Sequence, residues 1–394
     1  MKTSLALIFF LFLAGEILPQ SIDFSTGSIQ LLPDETFLPK ADWDALFYDW
    51  ETANKENGTG YHKDFAFGHD GRVIISNRSN YKVYILDKSG QLIKTFGKQG
   101  GKPGEFLFRQ DFHGILDDQH LVFSDHQGRI NFFNLDGNFV KMITIDFMPL
   151  NIYPDKGGKI ILKGHVPMKT YSRKVLAVLD YNTEKYNIFY SYNESYDQPN
   201  RIIFPAKTGG TTSVGSGHTS RWITKVGNSG LVFSANNARP EIKLFTPQQG
   251  SYIESGFEVK VDPLPILQED KDAYYENFKK RLKENGVDTV YAEKIRNDDF
   301  FPEHMPYYYN ILVDESNNCM FFIYNNENKD YLFQAYTTTG KFLGQSEFVL
   351  EGYEILFQSN PVIIRDGYLY ATALKKDAKN PLRIIKCKIG SERK

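Results

Sequence analysis

Three features of the sequence predict an all-β chain. A short apolar run follows a turn signal six times along the chain. In five of these units a β-hairpin follows the run. The sixth unit stops one strand short, and an alternating segment near the N-terminus can supply the missing strand. Four short antiparallel strands per unit, repeated six times and closed on itself, describe a six-bladed β-propeller.

The first residues read as an address. Lys2 precedes the apolar stretch Leu5 to Leu13, and Ala14-Gly15 follows. A basic start, an apolar run and small residues make a secretory signal peptide. The run is shorter than the about 20 apolar residues that span a bilayer. Residues 1–20 are therefore expected to be the signal peptide and residues 21–394 the propeller. No Cys precedes Cys319, so a lipoprotein anchor is not expected. The expectation is export to the periplasm or the cell exterior, with no membrane span after cleavage and a monomeric chain.

Ser28-Ile29-Gln30-Leu31 alternates polar and apolar residues, which puts Ile29 and Leu31 on one face. Such a strand would complete the last blade and remove open sheet edges. Burying each of the two side chains should contribute about 1.5–3 kcal/mol.

The apolar runs begin at Val73, Leu121, Ile160, Leu231, Met320 and Leu369, with spacings of 48, 39, 71, 89 and 49 residues. The hairpins fall at 82–97, 129–143, 174–190, 241–257 and 331–348, and the last unit ends with 381–390. Ser89-Gly90 and Asp136-Gly137 are turn dipeptides between alternating apolar residues. The short spacings suit one blade each. The long ones predict insertions around units three and four.

Residues 262–306 break the strand rhythm and predict a helical insertion between blades four and five. Asp270 to Asn285 has high helix propensity and runs into Gly286. Tyr274, Phe278 and Leu282 are expected to pack this helix onto the propeller. A second helical stretch is expected at 288–296. The segment 209–221 is rich in Gly, Ser and Thr and reads as a long loop.

Thr95-Phe96-Gly97 through Gly101-Lys102-Pro103-Gly104-Glu105-Phe106 resembles the linker between NHL repeats, and residues 111–140 are similar to a full NHL-type blade. Overall the chain resembles exported bacterial six-bladed β-propellers of the NHL-repeat/TolB-like group. The resemblance is strongest over residues 61–145 and implies an exported propeller, in a group that includes many members of unknown activity.

The 394 residues include 15% aromatic and 24% charged side chains, with a net charge of −2. That composition excludes a disordered chain. A near-neutral balance also speaks against nucleic acid as a partner. Cys319 and Cys387, the only two cysteines, lie in apolar strand contexts and read as buried hydrophobes.

No nucleotide-binding, metalloprotease, nucleophile-elbow or EF-hand motif is present, and no cofactor is expected. Propellers offer ligands the channel mouth, where the inner strands begin. Aligning the apolar runs with equal turn lengths brings Lys63, Asp111, Leu150, Arg221, Asn310 and Ser359 into one column. Tyr61, Arg109, Thr219, Tyr308 and Phe357 stand two residues earlier. Arginine forks and aromatic faces suit an anionic or sugar-like ligand. The expected ligand-binding residues are therefore Tyr61, Lys63, Arg109, Asp111, Arg221, Tyr308 and Asn310. The expected function is an exported binding protein that presents this mouth to a protein, peptide or glycan. The alternative is a metal-dependent propeller lyase, lactonase or hydrolase, for which His62, His113 and His218 are weak ligand candidates.

Overall fold

The computed structural model describes residues 28–48, 63–107, 110–125, 127–195, 201–205, 211–215, 220–227, 229–249, 251–296, 300–314, 319–325, 331–357 and 361–390. The expected signal peptide lies outside these residues. Among the described residues no helix is long and apolar enough to cross a membrane.

β1 (Ser28–Pro33) precedes a series of antiparallel sheets. The first sheet holds β2 (Lys63–Phe67), β3 (Val73–Asn77), β4 (Lys82–Leu86) and β5 (Leu92–Phe96). The second holds β6 (Asp111–Leu116), β7 (His120–Ser124), β8 (Arg129–Asn134) and β9 (Phe139–Thr144). The third holds β10 (Met148–Pro154), β11 (Lys159–Pro167), β12 (Tyr171–Asp180) and β13 (Tyr186–Ser195). A separate hairpin follows, β14 (Arg201–Pro205) with β15 (Thr211–Gly215). The fourth sheet holds β16 (Trp222–Val226), β17 (Val232–Asn236), β18 (Glu241–Gln248) and β19 (Ser251–Glu258).

The fifth unit is β20 (Asn310–Asp314), β21 (Cys319–Asn325), β22 (Tyr331–Thr337) and β23 (Phe342–Val349). In the sixth, β24 (Tyr353–Ile355) and β25 (Val362–Arg365) both pair with β26 (Tyr368–Lys375), which pairs with β27 (Leu382–Gly390). β1 lies antiparallel to β27, with Leu31 opposite Ile389, and parallel to β23, with Ile29 opposite Phe348. Units five and six therefore share one nine-stranded sheet.

Strand alternation turns two apolar faces outward from each sheet, and neighbouring sheets bury them against each other. Ile74 and Val83 of the first unit pack with Phe123 and Phe133 of the second. Val73 and Ile75, on the opposite face, pack with Leu382 and Ile384 of the sixth. Four more clusters join units two and three, three and four, four and five, and five and six. Ile29 and Leu31 are 0% and 2% exposed in the last of these, beside Phe321 and Cys387. Both cysteines are buried free thiols, and burial pushes each up to about 12.

The local signals have local causes. The Asp136-Gly137 turn needs a positive φ at Gly137 (72°), and a Cβ there would lie 2.5 Å from the Phe96 ring. The Gly101-Lys102-Pro103-Gly104 linker returns the chain so that Phe106 packs against Phe123 and Phe133, with no exposed surface.

The segment between the fourth and fifth sheets departs from expectation in detail. Its helix spans Gln268–Glu284 and buries Tyr275, Phe278 and Leu282. Tyr274 is only partly buried and donates its hydroxyl to the Gly215 carbonyl. These side chains pack on Ile202, Phe204 and Val214 of the β14–β15 hairpin and on Phe300 and Phe301, not on blade strands. The segment expected as a loop at 209–221 thus contains a strand, 211–215. Its Thr and Val favour a pleated strand once β14 offers a partner and the helix offers an apolar face. Val290–Glu293 and a 3-10 turn, Lys294–Arg296, follow the helix.

Candidate functional site

The strand register identifies which inner-strand residues share a depth. Asp64 pairs with Ser76, Asp111 with Ser124, Asn151 with Lys163, Thr224 with Ser234, and Asn310 with Ile323. Each partner stands three positions after the start of its unit's apolar run. Five units therefore place a polar residue at one layer of the innermost strand. The column expected from equal turn lengths is corrected here at three units. Asp64 replaces Lys63, Asn151 replaces Leu150, and Thr224 replaces Arg221. The turns into the second strand differ in length, and bulges interrupt β6 and β10 at Phe112/Gly114 and Pro149/Asn151.

Between units one and two the layer is acidic but compensated. The Asp64 carboxyl accepts the Phe112 backbone N–H. Burial first, and then the neighbouring Asp111 carboxylate, push Asp64 up to about 7, against the pull of Arg78 and Lys63. Asp111 Oδ1 meets Arg78 Nε at 2.8 Å. Lys63 is fully buried and donates to Asn77 Oδ1 at 2.7 Å, with its ammonium 6.0 Å from the Phe47 ring centre. Gln110 Nε2 donates to the Asn77 carbonyl at 3.3 Å.

Between units three and four the layer is basic. Lys163 donates to the Trp222 carbonyl and stands 5.0 Å from the Trp222 ring centre. Burial, reinforced by Lys174 and Lys225, lowers Lys163 to about 7. Burial lowers Lys225 to about 8. Lys174 is paired with Glu194 at 3.0 Å. The inner layer thus has carboxylates balanced by Arg78 and Lys63 on one side and lysines on the other.

A pH signature follows from Asp64. Its folded-state value is raised, so the folded chain holds a proton that the unfolded chain has released between about pH 4 and about pH 7. Stability from this group falls as pH rises through that window. Asp64→Asn should raise the melting temperature at pH 8 and leave it nearly unchanged at pH 3.5, as read by thermal denaturation. Equal shifts at both pH values would reject a raised Asp64.

The expected residues are distributed unevenly. Lys63, Asp111 and Asn310 all lie at the beginnings of inner strands. Asn310 is bonded through Nδ2 to the Phe357 carbonyl at 2.7 Å. Arg221 is exposed just before β16, its backbone N–H held by Asn237 Oδ1 at 2.6 Å. Tyr308 is fully buried against Phe322 in the core between units four and five. His113 places Nε2 2.8 Å from Ser124 Oγ, and its Nδ1 accepts the Ile152 N–H at 3.2 Å. An Nδ1 that accepts is unprotonated, so Nε2 carries the hydrogen and both nitrogens are engaged. Tyr61, Arg109, His62 and His218 lie outside the described residues. Among the described residues no cluster of three or more His, Cys, Asp or Glu is placed to hold a metal ion.

Asp64, Arg78, Lys163 and Lys225 were missed by sequence reasoning. Lys163 carried a readable signal, a charged residue closing the buried run Ile160-Ile161-Leu162. Asp64 and Arg78 carried none, because only the register shows their neighbours.

A family model described as a 6-bladed beta-propeller, DUF5128, matches residues 55–207. No curated protein matches the chain. A solved member of the DUF4221 family from Bacteroides vulgatus ATCC 8482 is 10% identical with a TM-score of 0.50, covering 94% of this chain and 98% of that one. A Bacteroides fragilis NCTC 9343 protein described as exported is 15% identical with a TM-score of 0.47, covering 83% and 90%. A streptogramin B lyase is 13% identical with a TM-score of 0.38, covering 83% and 93%. At 10% identity the first of these likenesses is one of fold, and with the family match it makes this chain a six-bladed β-propeller.

Proposed function

We propose that this chain is an exported binding protein that engages a protein, peptide or glycan at the channel mouth, where the inner strands begin. In this reading residues 1–20 direct export, β1 is the strand that closes the ring, and residues 262–306 are an insertion carried by it. One observation supports the site most directly. Five units set a polar side chain at the same inner layer, Asp64 and Asp111 among them, and Lys163 and Lys225, both of lowered basicity, stand next to its Asn151 and Thr224. Convergent polar groups on a rigid scaffold are what a ligand with hydrogen-bonding groups at both ends requires. The fold alone does not specify the ligand.

The test is a glycan-array and peptide-library screen with the mature chain, followed by affinity measurements on the hits. Asp64→Asn and Lys225→Gln should each weaken binding about tenfold, equivalent to about 1.4 kcal/mol. Lys225 has no side-chain hydrogen bond among the described residues, so its replacement leaves the packing in place. Full affinity in both variants would place the ligand elsewhere.

A further inference from the structure

A pocket lies away from the channel layer, between the segment after β1 and the outer part of unit six. Its cavity measures about 250 Å³. That is smaller than the about 300–1,000 Å³ of pockets for drug-sized molecules, and it suits a single ring. Phe37, Trp43 and Tyr353 supply aromatic walls, and Lys375 and Arg383 supply charge. Trp43 is held by stacking on Phe47, with ring centres 5.6 Å apart.

The cations of this pocket are not equivalent. Lys386 is neutralised by Asp34 at 2.9 Å. Arg383 uses only Nη1, which donates to the Asn380 and Leu382 carbonyls. Its Nε and Nη2 hydrogens have no partner among the described residues, and that edge of the guanidinium matches a carboxylate fork. Half-burial lowers the basicity of Arg383 by desolvation, and Asp44 offsets this only in part. The Lys375 ammonium stands 5.7 Å from the Tyr353 ring centre and has no ion pair among the described residues. Glu35 at the pocket wall adds a negative charge that disfavours a polyanion.

We propose that this pocket binds a small monocarboxylate carried on a ring. The ring lies against the aromatic walls, and the carboxylate meets the free edge of Arg383 with Lys375 beside it. A sugar acid and an aromatic acid share this chemistry.

The experiment titrates the mature chain with D-glucuronate, benzoate and D-glucose, followed by saturation-transfer NMR and Trp fluorescence. At least one acid should bind while glucose does not, and the tighter acid tells which source the pocket prefers. Arg383→Gln should weaken that acid about tenfold or more. Because Arg383 also holds two carbonyls, Lys375→Gln is the second variant, whose exposed side chain makes no hydrogen bond among the described residues; it should weaken binding severalfold. Asp64→Asn should leave acid binding unchanged, which separates this pocket from the channel layer. Absence of binding by both acids, equal binding of glucose and glucuronate, or full affinity in Lys375→Gln would overturn the proposal.

Discussion

Deleting residues 21–33 is expected to lower the melting temperature sharply and to promote aggregation. β1 bonds to strands of two units, β27 and β23, so its loss opens two sheet edges together. It also uncovers the cluster that holds Phe321, Phe333, Leu369 and Cys387. The two buried side chains alone account for about 1.5–3 kcal/mol each. The substitutions Ile29→Ala and Leu31→Ala separate packing from pairing. Each leaves the backbone ladder intact and should cost about 2–5 kcal/mol. Thermal denaturation followed by circular dichroism reads both effects. A truncated chain with the full-length melting curve would remove β1 from any part in closing the ring.

The second large effect is expected to be local. Phe278→Ala should cost about 3–5 kcal/mol. The loss should fall on the insertion, because Phe278 packs on Phe204 of the hairpin at 5.6 Å and its cluster contains no blade-strand residue. Hydrogen exchange should therefore accelerate in 268–296 and in the 201–215 hairpin, while β6 to β9 keep their protection. The main thermal transition should move little. Deprotection of blade strands to the same degree would show that insertion and ring unfold as one unit.

The two predictions draw on different levels of information. The β1 pairing rests on alternation at Ile29 and Leu31 and on a sixth unit lacking a strand, both readable along the chain. The insertion shows where such reading ends. Helix propensity marks residues 270–285, but propensity does not name the surface that the helix covers. The hairpin that covers it lies more than fifty residues earlier in the chain, and its second strand falls in a segment whose composition reads as loop. The choice between Tyr274 and Tyr275 as the buried tyrosine turns on which face meets that hairpin.

The channel layer shows the same division. Asp111 and Asn310 were legible because each stands thirteen positions before its second-strand partner, Ser124 or Ile323, the extra residue of the β6 bulge making up for the shorter turn that follows it. Lys63 and Asp64 are adjacent in sequence yet point to opposite faces, so a one-residue difference in a turn exchanges an ammonium for a carboxylate.

The sequence by itself determined the all-β repeat, the turn positions, the strand that joins the last unit and the burial of both cysteines. These follow from periodicity and turn chemistry, which act over a few residues. Tertiary structure decided which polar residues share the inner layer, which charges compensate each other and which insertions pack together. Those outcomes depend on register, bulges and contacts between distant segments, and a local pattern carries no information about them.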